Sequence, residues 1–105
     1  MDIGVIGAGG WGIALAKLLA DKGEQITLWC HGADTCRDLT EKRESSTYLP
    51  GVRLPAQVRV TTALADAVAG KHLLLCVVPS HALRAVMTQT VAQVAPETTI
   101  VCGTK

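Results

Sequence analysis

Residues Gly7 to Gly12 read GAGGWG and stand directly after the short apolar run Ile3-Gly4-Val5-Ile6. Beyond them Ile13, Leu15, Ala16, Leu18, Leu19 and Ala20 recur at helical spacing, and Lys22-Gly23 supplies a C-terminal stop. A glycine-rich hexamer alone is weak evidence. Set between a strand and a helix, it commits the chain to a strand–turn–helix unit in which the turn is tight and the helix packs closely on the strand.

The rest of the chain extends that unit. Gln25 to Cys30 is short and rich in β-formers, and reads as a second strand parallel to the first. His31-Gly32-Ala33-Asp34 breaks the run; Asp34 or Thr35 is expected to cap a polar helix to about Arg43, and Glu44 to Pro55 has the composition of a surface loop. Val58-Arg59-Val60 reads as a short edge strand, followed by a helix from Ala63 to Ala69 capped by Thr61-Thr62 and stopped by Gly70. His72 to Val78 is continuously apolar, as in a central parallel strand, and Pro79 ends it. Ser80 then caps a helix carrying Leu83, Val86, Met87, Val91 and Val94, and Thr98 to Cys102 makes a fifth strand. Alternating strands and helices predict an α/β fold: a Rossmann-type doubly wound parallel sheet of about five strands, order 3-2-1-4-5, with helices on both faces. The ligand crevice of such a sheet lies beyond the C-terminal ends of strands 1 and 4, where Gly7 and Pro79 fall.

Composition narrows the partners. The 105 residues suit one domain, and a net charge of +1 without a basic cluster argues against nucleic acid. The longest apolar run, Leu73 to Val78, is far short of the roughly 20 residues of a membrane helix, so no membrane insertion is expected. With no secretory pattern at the start, the chain reads as cytoplasmic. Cys30, Cys36, Cys76 and Cys102 form no C-x-x-C pair and do not cluster with His31, His72 or His81, so no metal site is expected and the four thiols read as reduced and structural.

Each glycine has a distinct expected role. Gly7 allows the tight turn, Gly9 lets a pyrophosphate approach the backbone, and Gly12 lets the helix pack on the strand, while the helix N-terminus attracts the anion. Trp11 is expected to point along the groove. About 20 residues beyond such glycines a carboxylate usually meets a free ribose 2′-hydroxyl. Here that place holds Trp29-Cys30-His31, and the nearest acid, Asp34, lies in the following turn. The cofactor is therefore read as NAD(P), with NADP accepted at least as well as NAD and His31 near the adenine-ribose end. Trp29 itself is expected in the core, His72 as structural and His81 as a first-turn polar residue.

GAGGWG with Ala14-Leu15-Ala16, Leu28-Trp29, Tyr48-Leu49-Pro50-Gly51, Val77-Val78-Pro79-Ser80 and Thr104-Lys105, in this order over the whole chain, resembles the N-terminal domain of NAD(P)-dependent glycerol-3-phosphate dehydrogenases. The resemblance implies hydride transfer between NAD(P)H and dihydroxyacetone phosphate giving sn-glycerol 3-phosphate, which feeds phospholipid synthesis. It implies cofactor contacts at Gly10, Trp11 and His31, and contacts to both cofactor and substrate at Lys105. A cationic amine beside a phosphorylated ketone would orient it and stabilise developing charge. Tyr48, in the loop, is added as a residue that closes over the nicotinamide side or anchors the loop. The candidate cofactor residues are thus Gly7, Gly9, Gly10, Trp11, Gly12, His31, Tyr48, Pro79 and Lys105. Two positions depart from the family pattern: Arg43-Glu44-Ser45 stands where arginine, any residue, then asparagine is usual, and Ile13 where threonine is common.

The family's chain continues past this lysine into a helical substrate domain that carries the catalytic lysine. Residues 1–105 are accordingly read as a truncated dinucleotide-binding domain with no catalytic residue of its own, inactive alone, from a protein whose full-length form is a homodimer. Two other readings stand beside this one: another Rossmann dehydrogenase, of the ketopantoate reductase or 6-phosphogluconate type, and a non-catalytic NAD(P)-sensing module.

Overall fold

A computed structural model describes residues 1–45, 50–78, 84–86, 88, 94 and 96–103. Five parallel strands form one sheet: β1 (Asp2–Ile6), β2 (Gln25–Trp29), β3 (Val58–Thr61), β4 (Leu73–Cys76) and β5 (Thr99–Cys102), in the order β3-β2-β1-β4-β5. Helices α1 (Gly10–Asp21), α2 (Ala33–Glu41) and α3 (Leu64–Val68) lie between consecutive strands. The expected Rossmann-type order is therefore present, with β1 flanked by β2 and β4.

Strand alternation sorts the core into two layers. Ile3 and Val5 of β1, with Ile26 and Leu28 of β2, face α1 residues Ile13, Ala16 and Ala20 and α2 residues Cys36 and Leu39. Ile6, Trp29, Leu74 and Cys76 face the opposite way, against Ala67 and Val68 of α3 and the side chain of Val86. Gly4 points to this second layer because there is no room for more: a Cβ on it would lie 2.0 Å from the Ala67 carbonyl oxygen. Ile13 is fully buried, so its departure from the family's threonine is a matter of helix packing.

Several local expectations are corrected. α2 begins at Ala33 with Gly32 as its cap residue and no side-chain capping bond, so neither Asp34 nor Thr35 caps it. α3 is likewise capped at Ala63; Thr61 acts on the cap residue instead, its Oγ1 accepting from the Ala63 N–H at 3.0 Å. β4 is shorter than His72 to Val78, its pairing with β1 ending at Cys76. The four thiols are not all free. Cys30 and Cys36 are joined in a disulfide with Cα atoms 5.6 Å apart, which ties the first turn of α2 to the residue that follows β2. Cys76, buried, and Cys102, exposed, are not in a disulfide. The helix expected from Ser80 to Ala95 falls largely outside the described residues, as do His81 and Met87; within it, Thr88 Oγ1 donates to the Arg84 carbonyl at 2.8 Å.

Two placements follow the sequence reading. Trp29 is buried, its indole N–H donating to the Thr62 carbonyl at 3.0 Å. His72 holds the start of β4 to the start of β1: its Nδ1 accepts from the Asp2 N–H at 3.0 Å while its own backbone N–H donates to the Asp2 carbonyl at 2.8 Å.

Candidate functional site

The backbone turns tightly where β1 hands over to α1. Gly7 takes φ +123°, a conformation that L side chains rarely adopt, and its N–H donates to the Trp29 carbonyl of the neighbouring strand at 3.1 Å. A Cβ on Gly12 would sit 1.9 Å from the Gly7 carbonyl oxygen, so the first turn of α1 rests directly on the strand end. Gly9 differs from both, since a Cβ there would meet nothing within 4 Å. The turn is closed on its protein side at Gly7 and Gly12 and open on its outer side at Gly9.

That open side faces a groove of about 900 Å³ beyond the C-terminal ends of the strands. Gly9 caps α1 without any side-chain capping bond, and the first helical hydrogen bond runs from the Ile13 N–H to the Gly9 carbonyl at 3.0 Å. The N–H groups of Gly10, Trp11 and Gly12 precede that bond and belong to the free, electropositive end of the helix. Trp11, 62% exposed, forms part of the groove wall. The second-strand side is formed by Trp29, His31, Gly32 and Thr35, with the Trp29 and His31 rings 5.7 Å apart and tilted by 55°. Val77, Val78 and Gly103, which follow β4 and β5, complete the described lining.

Of the residues singled out in the sequence, Gly7, Gly9, Gly10, Trp11, Gly12 and His31 come together around this one groove. Tyr48, Pro79 and Lys105 lie outside the described residues. Gly32, Thr35 and Gly103 were not anticipated; the rule that loops after strand C-termini form the crevice would have found Gly32 and Gly103, whereas Thr35 lies in the first turn of α2. Trp29, expected only in the core, serves both the core and the groove.

The groove suits a dinucleotide. An anion can approach the bare backbone at Gly9, and no carboxylate occurs in the described lining. Among the described residues no group of three or more His, Cys, Asp or Glu is placed to hold a metal ion, and no helix is long and apolar enough to cross a membrane.

Comparison with known proteins gives a consistent picture. The family described as NAD-dependent glycerol-3-phosphate dehydrogenase N-terminus matches residues 2–105. The chain is 43% identical over 103 residues to the glycerol-3-phosphate dehydrogenase [NAD(P)+] of Citrifermentans bemidjiense, covering 98% of this chain and 31% of that protein. Among solved structures, glycerol-3-phosphate dehydrogenase from Coxiella burnetii superposes with a TM-score of 0.93 at 34% identity, over 99% of this chain and 32% of that one. The enzyme from Saccharomyces cerevisiae, at 22% identity and a TM-score of 0.89 over 100% of this chain and 33% of that one, shares the fold. The chain thus spans about a third of the length of the curated relatives it matches.

Proposed function

The chain belongs to the NAD-dependent glycerol-3-phosphate dehydrogenase N-terminal family, and from that premise we propose that it is the cofactor-binding portion of an sn-glycerol-3-phosphate dehydrogenase using NAD(P). The observation that carries the reading is the one-sided turn: Gly7 and Gly12 are filled by the protein itself, while the space beside Gly9 is left open in front of the helix N-terminus.

In this reading the pyrophosphate is held by the N–H groups of Gly10, Trp11 and Gly12, with Gly9 permitting close approach. Trp11 walls the groove, and His31, Gly32 and Thr35 frame the adenine-ribose end. When bound, the nicotinamide ring supplies or accepts the hydride. The substrates are dihydroxyacetone phosphate and sn-glycerol 3-phosphate; Lys105 is assigned to cofactor and substrate, and Tyr48 and Pro79 to the cofactor. The proton donor or acceptor belongs to a helical substrate domain outside residues 1–105, so these residues alone do not turn over. The whole protein is read as a cytoplasmic homodimer serving phospholipid synthesis.

NADP is accepted at least as well as NAD. A carboxylate at the end of β2 would repel a 2′-phosphate, and the described lining has none; Asp34 sits instead in the exposed first turn of α2. The test is to follow cofactor absorbance on mixing the full-length protein with dihydroxyacetone phosphate and either reduced cofactor. Oxidation dependent on that substrate is expected from the full-length protein and not from residues 1–105. Oxidation dependent instead on a non-phosphorylated keto acid would contradict the substrate assignment.

A further inference from the structure

Cys30 and Cys36 bracket the segment that forms one side of the groove. Cys30 directly follows β2 and Cys36 lies within α2, so His31, Gly32 and Thr35, all groove-lining, fall between them. Neither cysteine lines the groove itself. Their Cα separation of 5.6 Å lies within the range a disulfide spans without backbone movement, and the two are bonded. Cys30 Sγ lies 3.6 Å from the Thr61 carbonyl oxygen and Cys36 Sγ 3.2 Å from the Cys30 carbonyl oxygen, so a carbonyl acceptor stands beside each sulfur for the thiol to turn to as the two separate on opening. Both covalent states are thus accommodated at one site, and only the closed one ties the first turns of α2 covalently to the end of β2.

We propose that Cys30 and Cys36 form a redox-controlled clasp on the adenine-ribose side of the cofactor groove, closed by a peroxide and opened by a dithiol. The proposal rests on the reading of that groove as the NAD(P) site. In closing, the Cys36 sulfur attacks one oxygen of hydrogen peroxide, giving a sulfenic acid and one water; the Cys30 sulfur then attacks the sulfenic sulfur, forming the S–S bond and releasing a second water. Two thiols and one peroxide become one disulfide and two waters. In opening, one thiol of a dithiol attacks Cys36, the less buried of the pair at 7% exposure against 1% for Cys30, and releases the Cys30 thiol. The second thiol resolves the mixed disulfide, leaving both cysteines reduced and the reagent as a cyclic disulfide.

The closed clasp holds His31, Gly32 and Thr35 in the arrangement that lines the groove, so less ordering remains to be done on binding. The other two cysteines are distinguishable from this pair. Cys76 and Cys102 stand opposite each other on β4 and β5, and burial together with Cys102 pushes the Cys76 thiol up to about 11, which keeps it protonated and slow to react at neutral pH.

The test is NADPH titration of the full-length protein after hydrogen peroxide treatment and again after dithiothreitol, with mass analysis of the tryptic peptide 23–37, which contains both cysteines. After peroxide this peptide is expected two hydrogens lighter, and after dithiothreitol NADPH binding is expected to weaken by about three- to tenfold. Cys36→Ser and Cys36→Ala should bind like the reduced protein and ignore peroxide. Equal affinity in both redox states, or no bond within the peptide, would overturn the clasp while leaving the cofactor reading intact. Absence of NADPH binding in either state would contradict the cofactor reading itself, and the clasp with it.

Discussion

Gly9 and Gly12 belong to one turn, yet a methyl group added to each meets opposite surroundings. At Gly12 it would collide with the Gly7 carbonyl 1.9 Å away, which only a shift of helix against strand could relieve. Gly12→Ala is therefore expected to destabilise the protein by about 2 kcal/mol or more. At Gly9 the added Cβ meets no protein atom within 4 Å, and φ is an unstrained −75°. Gly9→Ala should thus leave stability within about 0.5 kcal/mol of the original while weakening NADPH about tenfold, because the space it fills is the one assigned to the pyrophosphate. Thermal unfolding and cofactor titration of the two variants separate these effects; loss of stability in Gly9→Ala with unchanged binding would place the phosphates elsewhere. Trp29 offers a check on the opposite wall. Trp29→Phe keeps a ring in the core but leaves the Thr62 carbonyl without its indole donor, and urea unfolding should show a loss of about 1 kcal/mol.

Between α2 and β3, Arg43 helps to hold the chain. Arg43 adopts φ +60°, and its Nη2 donates to the Pro55 and Val58 carbonyls at 2.6 Å each. Glu44 next to it accepts from the Gly51 N–H at 3.0 Å, so this stretch, which departs from the family pattern, ties the loop to the start of β3. Arg43→Lys cannot present the same planar fork, and Arg43→Ala leaves both carbonyls without it. Denaturant unfolding is expected to show a loss of about 2 kcal/mol for alanine and a smaller one for lysine. On the other side of the sheet, burial first and Cys102 second raise Cys76 from 9.0 to about 11. Between those values the folded chain keeps a proton that the unfolded chain has released. The contribution to stability is therefore full below the lower value and is lost as the pH rises through the upper one. Over that window the parent protein should lose more stability than Cys76→Ala, as unfolding midpoints at stepped alkaline pH would show.

The elements differ in how legible they were. Strands β1, β2 and β4 and helix α1 were readable because apolar spacing switches cleanly between periods at the glycines and at Gln25. The caps of α2 and α3 were not: Asp34 and Thr35 have capping chemistry but α2 is capped earlier, at Gly32, and Thr61 and Thr62 have it too but α3 is capped later, at Ala63. The Cys30–Cys36 bond was hidden for a related reason: it depends on how close the start of α2 comes to the residue after β2, which spacing alone does not state.

At the scale of the whole molecule, the order β3-β2-β1-β4-β5 turns residues far apart in sequence into one site. Gly7, His31, Val77 and Gly103 each follow a different strand, and they meet because all five strands run parallel and end on the same side. The glycine turn was legible as a motif, whereas Thr35, inside α2, became visible only once the strand ends were assembled. The same assembly explains why the cofactor reading depends on what is missing after β2 as well as on what is present after β1. The described groove offers an anion a helix end and offers a 2′-phosphate no opposing carboxylate. Titration of NADPH and NADH against the full-length protein tests this account most directly. Both should bind, NADPH at least as tightly as NADH; clearly tighter NADH binding, or no binding of either, would contradict it.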